Sequence, residues 1–195
     1  RGGPGTQGHR NSPPPGLHEA GKGRYQGPPS SSPQGNQVRR PRLLASSLLA
    51  TVKLRILAIG KPKLGYAGEG VREYTGRLKH YVPLDLEFLK GHDESSSLLA
   101  KSEGSYRIAL DERGSQLTTL GISDGLTRLE NRPGIKKVVF LIGGAAGHSP
   151  ALRDQCDEIW SLSTMTMQHE LALVVLLEQI YRAYTIKRGE PYHRA

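Results

Sequence analysis

Residues 52–195 predict an α/β fold, a largely parallel sheet covered by helices on both faces. Three observations carry this. Strand-like and helix-like patterns alternate along the chain from Val52 onward. Five strand-like segments occur, with helical segments interleaved. KKVVFLIGG is a short, near-continuous apolar run, the pattern of a strand buried on both faces. With 195 residues, the chain is long enough for one domain with a real core.

The elements follow in order. VKLRILAIG (Val52–Gly60) is a strand ending in glycine. After the turn KPKLGY, residues Ala67–Tyr81 place Val71, Tyr74, Leu78 and Tyr81 at helical spacing on one apolar face. LDLEFLK (Leu84–Lys90) alternates as a half-buried strand. The polar stretch Gly91–Ser105 is expected to include a short helix around Ser97–Glu103. YRIALD (Tyr106–Asp111) is the third strand, and Ser115–Arg132 a loop and an interrupted helix. KKVVFLIGG is the buried fourth strand, Pro150–Asp157 a helix, and IWSLS (Ile159–Ser163) the fifth strand. Glu170–Lys187 is the closing helix.

Residues 1–51 form a separate segment. They hold 8 of the 13 prolines and 9 of the 24 glycines, too little apolar surface to offset the ordering entropy, so disorder is expected. The segment begins with Arg, and Val52 is read as the true start, from an alternative initiation codon, with the upstream part dispensable. An organelle transit peptide is the competing reading.

The net charge of +9 is unevenly distributed. Residues 1–51 carry seven basic residues and one acid, a net of +6; residues 52–195 carry 20 basic and 17 acidic, a net of +3. Charge alone therefore lends weak support to nucleic-acid binding by the domain. The single cysteine, Cys156, excludes an intramolecular disulfide framework and any multi-cysteine metal site, and reads as an inert thiol. The seven histidines show no metal-ligand spacing, so no metal is expected. No apolar run approaches the roughly 20 residues that span a bilayer. A soluble, cytoplasmic protein is expected.

In an open α/β sheet, ligands bind beyond the carboxyl ends of the strands. Three such ends stand out: Leu110–Gly114, Ile142–Gly147 and Leu162–Met167. The glycine turn alone says little. It is not GxGxxG, no acid ends a strand about 20 residues on, and no GK[ST] follows, so neither a dinucleotide fingerprint nor a P-loop is present. An NAD-type oxidoreductase is disfavoured on that ground. Taken singly, GGAAG is equally an ordinary tight turn, and the hydroxyls of LSTMTM equally caps for the helix near Glu170.

The combination says more. LIGGAAGHSP, then WSLSTMTMQHE, then LLEQIYRAYTI and a terminal PYHR, preceded by LRILAIGK and LDERG, resembles the RlmH family of SPOUT methyltransferases over about Lys53–Arg194. The resemblance implies an S-adenosylmethionine-dependent enzyme that methylates N3 of a pseudouridine in the large-subunit (23S) rRNA, within the ribosome. It also implies a homodimer with a trefoil knot at the carboxyl end of the sheet. Mapped by motif, the donor contacts it implies are Leu110, Gly143, Leu162, Ser163, Thr164, Met165, Thr166 and Met167. From the PYHR tail, His193 is the candidate base, Arg194 a second candidate catalytic group, and Tyr192 a candidate substrate contact; equally, the tail reads as a mobile or dimer-packing segment.

Physical reading agrees with this mapping. Leu110, Leu162, Met165 and Met167 are suited to wall an adenine, and a sulfonium donor needs no phosphate-binding lysine. His169 reads first as a cap or packing residue, and Arg182 as a partner of Glu178 four residues earlier. Lys61, Lys63, Arg72, Arg77 and Lys79 are candidates for a phosphate track or, equally, solvated charges. The chain departs from the family pattern at Gln168 and Leu173, where Pro and Arg are usual. A non-catalytic RNA- or ribosome-binding module on the same fold is the alternative function.

Overall fold

The computed structural model describes Gly2, residues 52–90 and residues 93–193. The disorder expected for 1–51 and the role expected for Arg194 lie outside the described residues. Ten elements follow one another: β1 (Lys53–Ile59), α1 (Gly65–Leu78), β2 (Leu84–Leu89), α2 (Glu94–Lys101), β3 (Tyr106–Gln116), α3 (Thr119–Asn131), β4 (Lys137–Ile142), α4 (Pro150–Arg153), β5 (Glu158–Ser161) and α5 (His169–Arg188). The five strands form one parallel sheet in the order β2-β1-β4-β3-β5.

Alternation along β4 shows why the sheet needs cover on both sides. Val138, Phe140 and Ile142 face α1, α3 and α5, beside Leu173, Leu176 and Leu177. Val139 and Leu141 face the other way, toward Leu98 of α2 and Leu152 of α4. All five β4 residues from Val138 to Ile142 are buried, as a central parallel strand requires. Leu173 is 2% exposed in this core. Phe140 and Trp160 meet edge-on, with ring centroids 5.6 Å apart.

Three elements differ most from the sequence reading, and α2 begins at Glu94 and ends at Lys101 rather than spanning Ser97–Glu103. β3 does not end at Asp111 but runs on to Gln116. Trp160 of β5 pairs first with Leu110 and then with Ser115, so Asp111–Gly114 are looped out of the ladder as a four-residue bulge. A Cβ at Gly114 would sit 2.6 Å from the carbonyl oxygen of Ile159, so only glycine lets the chain rejoin the ladder there. α3 is continuous rather than interrupted. Thr118 caps it by accepting from the Gly121 N–H at 3.0 Å, and Gly125 gives the Trp160 ring room to approach. α4 is a single turn, shorter than Pro150–Asp157, capped by Ser149.

α1 and α5 are tied at their starts. The buried carboxylate of Glu170 accepts the backbone N–H groups of Lys63 and Leu64, each at 2.9 Å. α5 ends at Gly189, whose φ is +68°; the Gly189 N–H donates to the Ile186 carbonyl and the Glu190 N–H to the Thr185 carbonyl, each at 2.9 Å, making a Schellman motif. That turn sends the tail back along α5, where the Tyr192 ring stacks edge-on at 4.8 Å from Tyr181.

Candidate active site

In a parallel sheet every strand delivers its carboxyl end to the same edge. Because β4, β3 and β5 are neighbours, their following loops meet around one cleft of about 220 Å³. Its walls are Leu110–Arg113, Ile142–Gly147, Leu162, Ser163 and Met165–Met167, closed by His169 and Ala172 of α5.

The first wall is the β3 bulge. The Asp111 side chain is 3% exposed and accepts from Arg113 through its backbone N–H (3.0 Å), Nε (2.8 Å) and Nη2 (3.2 Å), and from Arg153 at 3.5 Å. Burial pushes this carboxyl up, but the Arg113 hydrogen bonds and the charges of Arg113 and Arg153 outweigh it and hold the group below its ordinary value. Asp111 is an ionised anchor that joins the bulge to α4. Its neighbour Glu112 is exposed and accepts from the Thr166 hydroxyl at 2.7 Å, bridging two walls.

The second wall is the glycine turn. A Cβ at Gly143 would lie 2.9 Å from the Gly147 carbonyl, and one at Gly144 would lie 2.7 Å from the Glu94 carboxylate. Gly147 has φ of +69°. Gly143 and Gly147 are therefore demanded by the turn's own backbone, whereas at Gly144 the end of the Glu94 side chain can move aside. Next to it His148 is buried, with Nε2 3.1 Å from the Leu141 carbonyl. Desolvation lowers its pKa, so the ring is neutral and Nε2–H donates.

The third wall is the hydroxyl loop. Ser161 donates to the Ser163 carbonyl at 2.9 Å, and Ser163 Oγ accepts the Met165 N–H at 2.9 Å. These local bonds stiffen the loop and leave Met165 72% exposed beside the cleft.

Of the eight positions that the family resemblance assigns to the donor, seven lie on this cleft: Leu110, Gly143, Leu162, Ser163, Met165, Thr166 and Met167. Thr164 stands in the same loop but off the wall. His169, read first as a cap or packing residue, also lines the cleft. The tail is elsewhere. Tyr192 bonds Glu178 at 3.2 Å and lies under the Arg182 guanidinium, roughly two turns along α5 from the cleft residues. Burial, then contacts with Tyr74 and Glu178, push its hydroxyl pKa upward. His193 is half-buried, with Nδ1 unpartnered among the described residues. Arg182 does bond Glu178, through Nε at 2.9 Å. Cys156 is half-buried and its thiol is pushed up by burial, away from reactivity.

Among the described residues, no group of three or more His, Cys, Asp or Glu is placed to hold a metal ion. Nor, among them, is any helix long and apolar enough to cross a membrane. A family model described as "Predicted SPOUT methyltransferase" matches residues 52–193.

The chain belongs to the SPOUT methyltransferase family.

Relatives in this family are close. A Thermus thermophilus protein named ribosomal RNA large subunit methyltransferase H is 48% identical over 143 residues, covering 73% of this chain and 99% of that protein. Proteins of the same name from Desulfotalea psychrophila and a Synechococcus species are 40% and 39% identical, covering 73% and 76% of this chain and 100% and 99% of theirs. A solved structure, a probable methylase family protein from Haemophilus influenzae Rd KW20, matches with a TM-score of 0.49 at 10% identity, over 74% of this chain and 71% of that one. The cleft of this SPOUT methyltransferase draws on all three loops that its sequence marks.

Proposed function

We propose that this chain transfers the methyl group of S-adenosylmethionine to N3 of a pseudouridine in 23S ribosomal RNA, acting as a homodimer on the ribosome. One observation carries the reading: three loops far apart in sequence meet in a single cleft whose chemistry suits that donor. Leu110, Ile142, Leu162, Met165 and Met167 offer apolar surface for a purine. The glycine turn offers main chain, and Glu112, Ser163 and Thr166 offer polar groups. The guanidinium on the wall, Arg113, is paired with Asp111, which suits a ligand without phosphates. The substrate class is supported by the name that relatives of 39–48% identity share.

When bound, the donor supplies an electrophilic methyl group on a charged sulfur. The three walls would hold that group fixed while the acceptor nitrogen approaches in line, and positioning of this kind supplies much of the acceleration. As the new N–C bond forms and the S–C bond breaks, the imide proton must leave N3. His193 is the candidate to take it, Arg194 to stabilise the developing anion, and Tyr192 to pack against the base. Because Tyr192 and His193 do not line the cleft of their own subunit, the reading brings them to the cleft of a second copy. The trefoil knot at the carboxyl end of the sheet belongs to the same proposal.

The test is incubation with labelled donor and ribosomes, or free rRNA, from a strain lacking the activity, followed by nucleoside mass spectrometry. N3-methylpseudouridine is the expected product. Methyl on a ring carbon or a ribose, with none on that nitrogen, overturns the assignment. Absence of any donor affinity in isothermal titration would instead favour a non-catalytic RNA-binding module.

A further inference from the structure

We propose that Glu112 is the acceptor for the ribose hydroxyls of the donor, held in place for that task by Thr166. The inference rests on the reading of the cleft as an S-adenosylmethionine site.

Two carboxylates line the cleft, Asp111 and Glu112. Asp111 is already engaged: its side chain is 3% exposed and both oxygens accept from Arg113 or Arg153. Glu112 is exposed, and among the described residues no cation pairs with it. Its Oε2 accepts from Thr166 at 2.7 Å, which fixes the carboxylate across the mouth and leaves Oε1 open among the same residues. The bulge is what carries it there. Gly114 returns the chain so tightly onto Ile159 that the preceding residues are thrown out of the β3–β5 ladder and over the cleft.

A ribose presents two adjacent hydroxyls, each with a proton to donate, and an ionised carboxylate accepts both. The neighbouring hydroxyls are less suited. Thr166 already gives its proton to Glu112, and Ser163 Oγ already accepts from Met165. Because the hydroxyls that donate to Glu112 are neutral, these hydrogen bonds do not themselves require the charge of the sulfur.

Isothermal titration of the full chain, Glu112→Ala and Glu112→Gln with S-adenosylhomocysteine and its 2′-deoxy and 3′-deoxy analogues reads this directly. Glu112→Ala is expected to weaken S-adenosylhomocysteine by about tenfold or more, and Glu112→Gln by less. Each deoxy analogue should bind the parent chain more weakly than S-adenosylhomocysteine and lose less than it does in Glu112→Ala, the signature of a shared contact. S-adenosylmethionine should lose the same factor as S-adenosylhomocysteine. Glu112→Ala losses on both deoxy analogues as large as on S-adenosylhomocysteine, or no loss at all, overturn the proposal. A loss confined to S-adenosylmethionine overturns it too, by assigning Glu112 to the sulfonium charge. A parent chain that binds none of these compounds removes the cleft reading itself, whereas binding by the parent with Glu112→Ala indifferent removes only the role of Glu112. The exposed position of Glu112 keeps the variants folded, and a matching urea midpoint checks this.

Discussion

Single atoms decide much at the residue scale. Adding one methyl at Gly114 puts a carbon 2.6 Å from the Ile159 carbonyl, and backbone there has nowhere to retreat. Gly114→Ala is expected to cost about 1–3 kcal/mol in urea unfolding and to weaken donor binding, because the displaced bulge forms a cleft wall. Gly76 in α1 is the contrast, since a Cβ there meets nothing within 4 Å. Gly76→Ala should raise stability by about 0.5–1 kcal/mol; a loss would show that helix propensity is not what limits α1. Glu170 sets a pH dependence. The Leu64 N–H, opposed by burial and assisted by the Lys63 N–H, holds its carboxyl below the ordinary value. With the folded pKa under the unfolded one, its contribution is complete above about pH 4.3 and fades as pH falls through the folded value. Glu170→Gln should therefore unfold at lower urea than the parent at neutral pH, with the gap closing in acid; a gap that is constant with pH would refute this. Which of these residues matter was not visible in the motifs. LDERG marked the loop, but Asp111 and Glu112 part company only because one is buried against two arginines and the other is swung outward.

At the scale of elements, the sequence reading placed an element near each observed strand and helix, and the larger differences lie where long-range contact overrides local preference. α3 keeps its helix through Gly125 because the Trp160 ring fills the space that a side chain would need. β3 outruns its apolar stretch because Ser115 and Gln116 find partners on β5, which no pattern within YRIALDERGSQ announces. α5 ends at Gly189 in the left-handed conformation, and the same turn starts the return of the tail. Gly189→Ala is expected to cost about 1–2 kcal/mol by unfolding and to loosen the Tyr192–Tyr181 stack, which nuclear magnetic resonance of the tail would register. An unchanged stack with unchanged stability would show that the tail is held by its aromatic contacts alone.

For the whole molecule, the layered sheet gathers three chain segments into one cleft, so ligand binding and global stability are linked. S-adenosylhomocysteine at a hundredfold excess over its Kd should add about 2.7 kcal/mol and raise the melting temperature by several degrees. A melt unmoved by donor and product alike would speak against the cleft as the donor site. The sequence by itself determined the α/β class, the element order and the three loops where chemistry gathers, since periodicity, glycine placement and motif order are written in short stretches. Tertiary structure decided the strand order, the looping-out of Asp111–Gly114, the packing of Tyr192 against α5, and which side chain of each loop meets the cleft. Those features depend on pairs such as Thr166 with Glu112 and Gly144 with Glu94, 54 and 50 residues apart. Contacts of that kind exist only once the chain has folded, and no local pattern can encode which distant partner will be there.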